Sequence, residues 1–141
     1  MTADLAPTQH LPPFTARLVT YLEAVQPGRC ILQFRVEAHH CGADGLLHPG
    51  MLGTFADGLF GRVVRSIIGA GSVTQRLDFD VLDEIRTGDD LRGEAWLERQ
   101  EGVLLFVAGR AAVGPRPVMR AGGIFTQVGR ENRLQRTSLS R

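Results

Sequence analysis

The chain contains no lysine: all 16 of its basic residues are arginine. That absence excludes Schiff-base catalysis and any phosphate loop built around a lysine. Net charge is nearly absent as well. With 15 acidic side chains against 16 basic ones, no strong field exists to draw the chain to nucleic acid or to an anionic membrane surface, and neither is expected as a partner. Cysteine is scarce. Cys30 and Cys41 form no C-x-x-C pair, so a reduced, cytoplasmic setting is the expectation. Long apolar runs are missing too: the longest charge-poor stretch, 45–61, is interrupted by His48 and Asp57 and is rich in glycine, so it is not a membrane span. The first thirteen residues show neither the basic region nor the apolar core of a secretory signal.

What is plentiful is glycine, 17 residues of 141, and it is not confined to turns. A content of 43% hydrophobic and 22% charged residues belongs to a folded domain rather than a disordered chain, and the length suits one domain or one subunit of an oligomer.

Residues 1–13, with Pro7, Pro12 and Pro13, read as a loose, flexible lead-in. Residues 17–25 read as a strand or a short helix. After the Gln26-Pro27-Gly28 turn, 29–38 form a β-rich run, so a hairpin is expected. A loop over 39–47 leads to Pro49, a favoured first helical residue because its missing N–H would be unpaired there anyway; the helix is predicted over 49–68 and stops at Gly69-Ala70-Gly71. Strands follow at 72–82, 91–99, 103–113 and 118–128, with Glu101-Gly102 as a hairpin turn. In the first of these, Val73, Gln75, Leu77, Phe79 and Val81 alternate onto one face. Residues 129–141 read as a polar, mobile tail. The fold class is α+β: an antiparallel sheet curled around one long helix, in a domain spanning 14–128.

On a helical wheel, Leu52, Phe55, Ala56, Leu59, Phe60 and Val63 share a broad apolar face. Gly50, Gly53, Asp57 and Gly61 form the opposite stripe, with Thr54 beside them. The helix holds four glycines, each costing roughly 1 kcal/mol relative to alanine, a sacrifice that makes sense where strands or a substrate approach the backbone. Asp57 is the only acid between Asp44 and Asp78, and neither Arg62 nor Arg65 stands three or four residues from it. A carboxylate on a covered helix is partly desolvated, and desolvation makes a carboxylate a stronger base. The alternative is a solvated or paired Asp57.

The run His48-Pro49-Gly50-Met51-Leu52-Gly53-Thr54-Phe55-Ala56-Asp57 resembles the active-site segment of hotdog-fold acyl-CoA thioesterases of the phenylacetate-pathway (PaaI-like) type, which show His-Gly-Gly and an Asp nine residues after the His. The order of elements extends the resemblance over roughly residues 30–128. It implies a curved antiparallel sheet around the 49–68 helix, and homodimers, often paired into tetramers, with the site at the subunit interface. It also implies hydrolysis of an acyl-CoA or acyl-carrier-protein thioester without metal or cofactor. Asp57 would then activate water or attack the thioester carbonyl. The helix N-terminus would supply a backbone N–H to the oxyanion. Thr74 falls near the position of a Ser or Thr hydroxyl that positions water, and His48, Pro49, Gly53 and Thr54 would bind or support the substrate. Two positions depart from the family. Pro49, which has no N–H, stands where the family has the donor glycine, so Gly50 is the substitute donor. Gly42 stands six residues before His48, where the family often has Asn or Gln.

Other groupings carry less. His39, His40, Cys41 and His48 fit no standard zinc spacing, so no metal is expected. Ser66 and Ser72 lie in no nucleophile elbow. Asp78, Asp80, Asp83 and Glu84 read as a solvated acidic rim. Arg110, Arg116 and Arg120 read as solvated strand positions, with coenzyme phosphates as the alternative partner. Pro49 and Gly42 leave open a non-catalytic protein that binds an acyl thioester. The Pro49-Gly50 helix start leaves open a hotdog dehydratase or hydratase that draws on His39 or His40.

Overall fold

Two prolines shape how the chain begins. Pro13 opens a short helix, α1 (Pro13–Ala16), and the N–H groups of Leu18 and Val19 bond back to the Thr15 carbonyl at 2.9 and 3.0 Å. The structure, a computed structural model, describes residues 4–69 and 71–129; the expected tail, apart from Gly129, lies outside the described residues. Within the expected lead-in, Ala6–Pro7 forms a two-residue strand, β1, paired with β2 (Leu22–Gln26), and the Thr8 N–H donates to the Tyr21 carbonyl at 3.1 Å.

The strand expected over 17–25 thus begins only at Leu22. Residues 17–21 are held outside the ladder by the bonds to Thr15 and by the Leu18 carbonyl, which lies 2.7 Å from His39 Nε2 and 2.6 Å from His40 Nε2. That irregular path still brings Val19 and Tyr21 into the core. β2 turns through Pro27-Gly28 into β3 (Arg29–Arg35); Gly28 has φ 77°, the backbone that the third position of such a proline turn requires.

A single 3₁₀ turn (Ala38–His40) and a loop lead to α2 (Pro49–Ile68), whose bounds match the sequence expectation. Four strands follow: β4 (Ser72–Val81), β5 (Asp90–Glu101), β6 (Leu104–Val113) and β7 (Arg116–Gln127). They complete one seven-stranded antiparallel sheet in the order β1-β2-β3-β5-β6-β7-β4. α2 therefore carries the chain from the middle of the sheet to its far edge, where, among the described residues, β4 pairs only with β7.

α2 packs against β2 through β7. Its expected apolar face is the buried one: Leu52 is 2% exposed, and Phe55, Ala56, Leu59, Phe60 and Val63 are fully buried. The sheet admits this face because it lacks side chains where the two phenylalanines land. A Cβ at Gly93 would lie 2.7 Å from Phe55 Cζ and 2.9 Å from Leu59 Cδ2, and one at Gly109 would lie 2.9 Å from the Glu94 carbonyl oxygen and 3.0 Å from Phe60 Cε1. Close approach is expected from the sequence at the helix glycines. The tightest contacts fall instead on strand glycines, whereas nothing lies within 4 Å of a Cβ at Gly61.

Phe55 is fully enclosed, with its ring centroid 5.3 Å from that of Phe34, and cannot retreat from a new methyl group. Gly93→Ala is therefore expected to destabilise the protein by about 1–3 kcal/mol, the usual range for overpacking. Denaturant unfolding measures this, and an unchanged midpoint would show that the helix is not held at this distance.

Candidate functional site

With its apolar face on the sheet, α2 turns the glycine stripe outward. Asp57 sits in that stripe, half-buried, on a helix whose backbone fixes its direction. Its carboxylate Oδ1 accepts a hydrogen bond from Thr74 Oγ1 at 2.7 Å. The register of β4 on β7 shifts between Thr74 and Arg76, leaving Gln75 as an extra residue. A bulge of this kind re-aims the side chains around it. Thr74 consequently points to the helix side with Leu77 and Phe79, and the simple alternation expected from Val73 onward is broken; Val73 is 38% exposed. Phe79 lies under Gly53, 3.3 Å from where a Cβ would be.

The helix start is fully bonded. His48 is the N-cap, and its Nδ1 accepts the Gly50 N–H at 2.8 Å. The N–H groups of Met51 and Leu52 both reach the His48 carbonyl, at 2.9 and 3.1 Å, and Pro49 has no N–H. Thr54 Oγ1 donates to the Gly50 carbonyl at 2.9 Å. Gly50, the expected oxyanion donor, thus already has the His48 imidazole as its acceptor. Gly42 lies in an exposed loop closed by its own N–H to the Leu46 carbonyl at 2.9 Å.

A groove of about 780 Å³ opens along the stripe, bordered on the helix side by Gly53, Thr54, Asp57, Gly58, Gly61, Arg62 and the exposed Arg65. That volume lies within the usual range of small-molecule sites. Its other wall is the segment 6–15, expected from the sequence mostly as a loose lead-in. The available signal is the pair of apolar residues Leu11 and Phe14 on either side of Pro12-Pro13, too short to show any period. A second cavity of about 300 Å³ lies at the helix start, lined by Leu46, Leu47, Pro49, Leu52, Val81 and Leu82 among others.

Arg62 was also missed as a participant. Its guanidinium donates to the Gly58 carbonyl (2.8 Å) and to Thr8 Oγ1 (3.4 Å), pairs with Glu23 at 3.5 Å, and lies 5.2 Å from the centroid of the Tyr21 ring. Burial raises the Tyr21 phenol far above its ordinary range, with the Arg62 charge offsetting part of that. Burial likewise pushes the Cys30 thiol up to about 12, which removes it as a nucleophile.

The remaining candidates fall away from Asp57. His39 and His40 both turn to the Leu18 carbonyl, and neither borders the groove. Glu37, His39 and His40 do bring potential ligand atoms within 4.8 Å of one another. However, His40 Nδ1 accepts the Glu37 N–H at 2.9 Å and its Nε2 is bound to Leu18, so both ring nitrogens are committed. The acidic rim is laced with arginine: Arg76 to Asp78, Arg120 to Asp80, Arg116 to Asp83 and Arg86 to Glu84. Arg110 pairs with Glu94. These pairs sit in water, where solvent and salt screen them and they add little to stability.

No protein-family model matches the sequence, and no curated protein matches it. Solved structures do. A conserved protein of Pseudomonas aeruginosa superimposes with TM-score 0.77 at 21% identity, over 83% of this chain and 94% of that one. A hypothetical thioesterase of Streptococcus pneumoniae, solved with coenzyme A, gives 0.72 at 21%, over 75% and 86%. The E. coli PaaI protein of the phenylacetic acid degradation operon gives 0.70 at 20%, over 76% and 80%. The fold is the hotdog fold. In this hotdog the helix, the sheet around it and the outward Asp57 stand as the sequence implied. At these identities the likeness is one of fold. Among the described residues, no helix is long and apolar enough to cross a membrane.

The His48 cap has a measurable consequence. His48→Ala leaves the Gly50 N–H without its acceptor and is expected to lower stability by about 0.5–2 kcal/mol, with His48→Asn recovering most of the loss. Denaturation of the two variants checks this; equal loss in both would mean that the ring contributes by something other than capping.

Proposed function

We propose that this protein is a thioesterase that hydrolyses acyl-CoA or acyl-carrier-protein thioesters, with Asp57 as the catalytic carboxylate. The observation that carries the reading is the Asp57–Thr74 hydrogen bond beside a groove of ligand size. One carboxylate oxygen is held by the threonine, and the other is left to face a water or a thioester carbonyl. As base, Asp57 takes a proton from water as the oxygen attacks the carbonyl carbon; the C–S bond breaks and the proton passes to the thiolate. As nucleophile, it attacks the carbonyl carbon, the C–S bond breaks to release the thiolate, and water then cleaves the acyl anhydride to the free acid and the Asp57 carboxylate, its proton going to the thiolate. The negative oxygen that develops needs a donor, and Gly50 is the nearest to the helix start with an N–H to give. For this, the thioester oxygen replaces His48 Nδ1 as acceptor, a substitution of one acceptor for another at an exposed position. His48, Pro49, Gly53 and Thr54 shape the backbone around that point.

Support comes also from the hotdog neighbours. The S. pneumoniae protein is called a thioesterase and was solved with coenzyme A, and two further structures of it carry one Asp→Ala and one Thr→Ala substitution, at positions separated by nearly the interval that separates Asp57 from Thr74. The site is proposed to work in a homodimer or tetramer. Among the described residues β4 is an edge strand with an unpaired side, and Val73, Val81 and Leu82 on or beside it are exposed, the kind of edge that a second copy covers.

The occupied helix start favours a second reading, in which the protein binds an acyl thioester without turning it over. Thiol release from acetyl-, hexanoyl-, decanoyl- and phenylacetyl-CoA separates the two. Asp57→Asn is expected to lower kcat by about 10²–10⁴-fold, and Thr74→Val by roughly ten- to a hundredfold, the worth of a hydrogen bond to a charged group. Equal rates for wild type and Asp57→Asn on every substrate would sink the thioesterase reading. Binding without turnover would establish the second.

A further inference from the structure

The groove beside Asp57 has two walls of different origin. One is the backbone of α2, laid bare by Gly53, Gly58 and Gly61; the other is the segment 6–15, which presents Pro7, Leu11, Pro12 and Phe14. The second wall is mixed, with Thr8, Gln9, His10 and Thr15 lining the groove beside these apolar residues. Leu11 packs partly against the core, while Phe14 stands 65% exposed at the rim.

Little chain structure holds this wall in place. β1 offers two residues of pairing, and the Thr8 N–H adds one bond to the Tyr21 carbonyl. The tie to the helix is Arg62. Its side chain is only 14% exposed, bonded at once to the Gly58 carbonyl, Thr8 Oγ1 and Glu23, and laid over the Tyr21 ring. A guanidinium fixed by several partners is rigid in a way that a lysine ammonium is not. Removing it would leave Glu23 without its cation and the segment without its link to α2.

We propose that residues 6–15 form the outer wall of an acyl-group pocket, and that Arg62 is the positioning residue that sets the width of that pocket and so the size of acyl group accepted. This rests on the thioesterase reading of Asp57. The occupant is the acyl group rather than the coenzyme, for two reasons. The proline, leucine and phenylalanine side chains of the segment give phosphates nothing to bind, and the segment carries no arginine in the groove. Arg62, the buried cation of the groove, is already committed to Glu23, the Gly58 carbonyl and Thr8. An apolar acyl chain needs apolar surface to pack on, which Pro7, Leu11, Pro12 and Phe14 supply, while the exposed Arg65 of the groove lies on the other wall, on α2.

The test is a profile of kcat/KM over acyl-CoAs from acetyl to decanoyl and phenylacetyl, for wild type, Leu11→Ala, Thr8→Val, Arg62→Met and Arg62→Lys, with thermal melting in parallel. Leu11→Ala is expected to move the preference towards bulkier groups by about tenfold or more, the usual effect of a changed contact in an apolar pocket. Arg62→Met flattens the profile through the KM of the longer chains, and Thr8→Val does so more weakly. Arg62→Lys, which keeps the charge beside Glu23, recovers part of the wild-type profile. Turnover that depends on Asp57 with profiles parallel to wild type in all four variants overturns the wall and leaves the thioesterase standing. If wild type turns over nothing, the thioesterase reading fails. The wall is then judged by calorimetric affinity for decanoyl-CoA relative to free coenzyme A: a ratio changed by Leu11→Ala and Arg62→Met upholds it, and an unchanged ratio overturns it.

Discussion

The height of α2 above the sheet is the constraint on which the rest depends. Phe55 and Phe60 fill the space between helix and sheet only because Gly93, Gly109 and Gly123 present bare backbone beneath them. Any side chain there would lift the helix. Lifting it by even an ångström would open the 2.7 Å bond between Thr74 and Asp57, because one partner rides on the helix and the other on the edge strand. A short hydrogen bond at the surface is thus the readout of packing in the core. Interiors are dense enough to transmit such a shift rather than absorb it.

The helix, its bounds and its buried face were legible in the sequence, since Pro49, Gly69 and a strict apolar period each act locally. Asp57 was legible by exclusion, as an acid alone on a stripe of glycine. Thr74 was found only through resemblance: the alternation Val73, Gln75, Leu77 argues against it, and the bulge at Gln75 that turns it inward depends on how β4 meets β7, which no local pattern encodes. The wall over 6–15 was not legible at all. Two residues of pairing, one of them proline, leave no periodicity to detect, and the residue that ties the wall, Arg62, differs from its neighbours only in where its side chain lies.

Charge is distributed to the same end. Most acids on this surface have an arginine within reach: Asp78, Asp80, Asp83, Glu84, Asp90 and Glu94 all do. Among the described residues Asp57 has none within ion-pair distance, and its partner is a neutral hydroxyl. Arg62, five residues along the helix, could have been that cation, but it is turned to Glu23 and Thr8. A guanidinium on Asp57 would spread its negative charge and weaken it as a base or nucleophile. The turning of Arg62 therefore does two things at once, leaving Asp57 uncompensated and tying the opposite wall of the groove.

The helix start raises the remaining question of chemistry. A free helix N-terminus offers unpaired N–H groups to an anion. Here Pro49 removes one, the His48 carbonyl takes two, and the His48 ring takes the Gly50 N–H. Of these acceptors only the ring can leave without unwinding the helix, since a carbonyl is part of the backbone and a side chain can change rotamer. If an oxyanion is stabilised at this end of α2, it is at Gly50, and only with His48 turned aside. On the proposed thioesterase reading, Pro49 would leave to Gly50 alone a task that a glycine there could have shared, and the His48 ring would have to yield its hydrogen bond first.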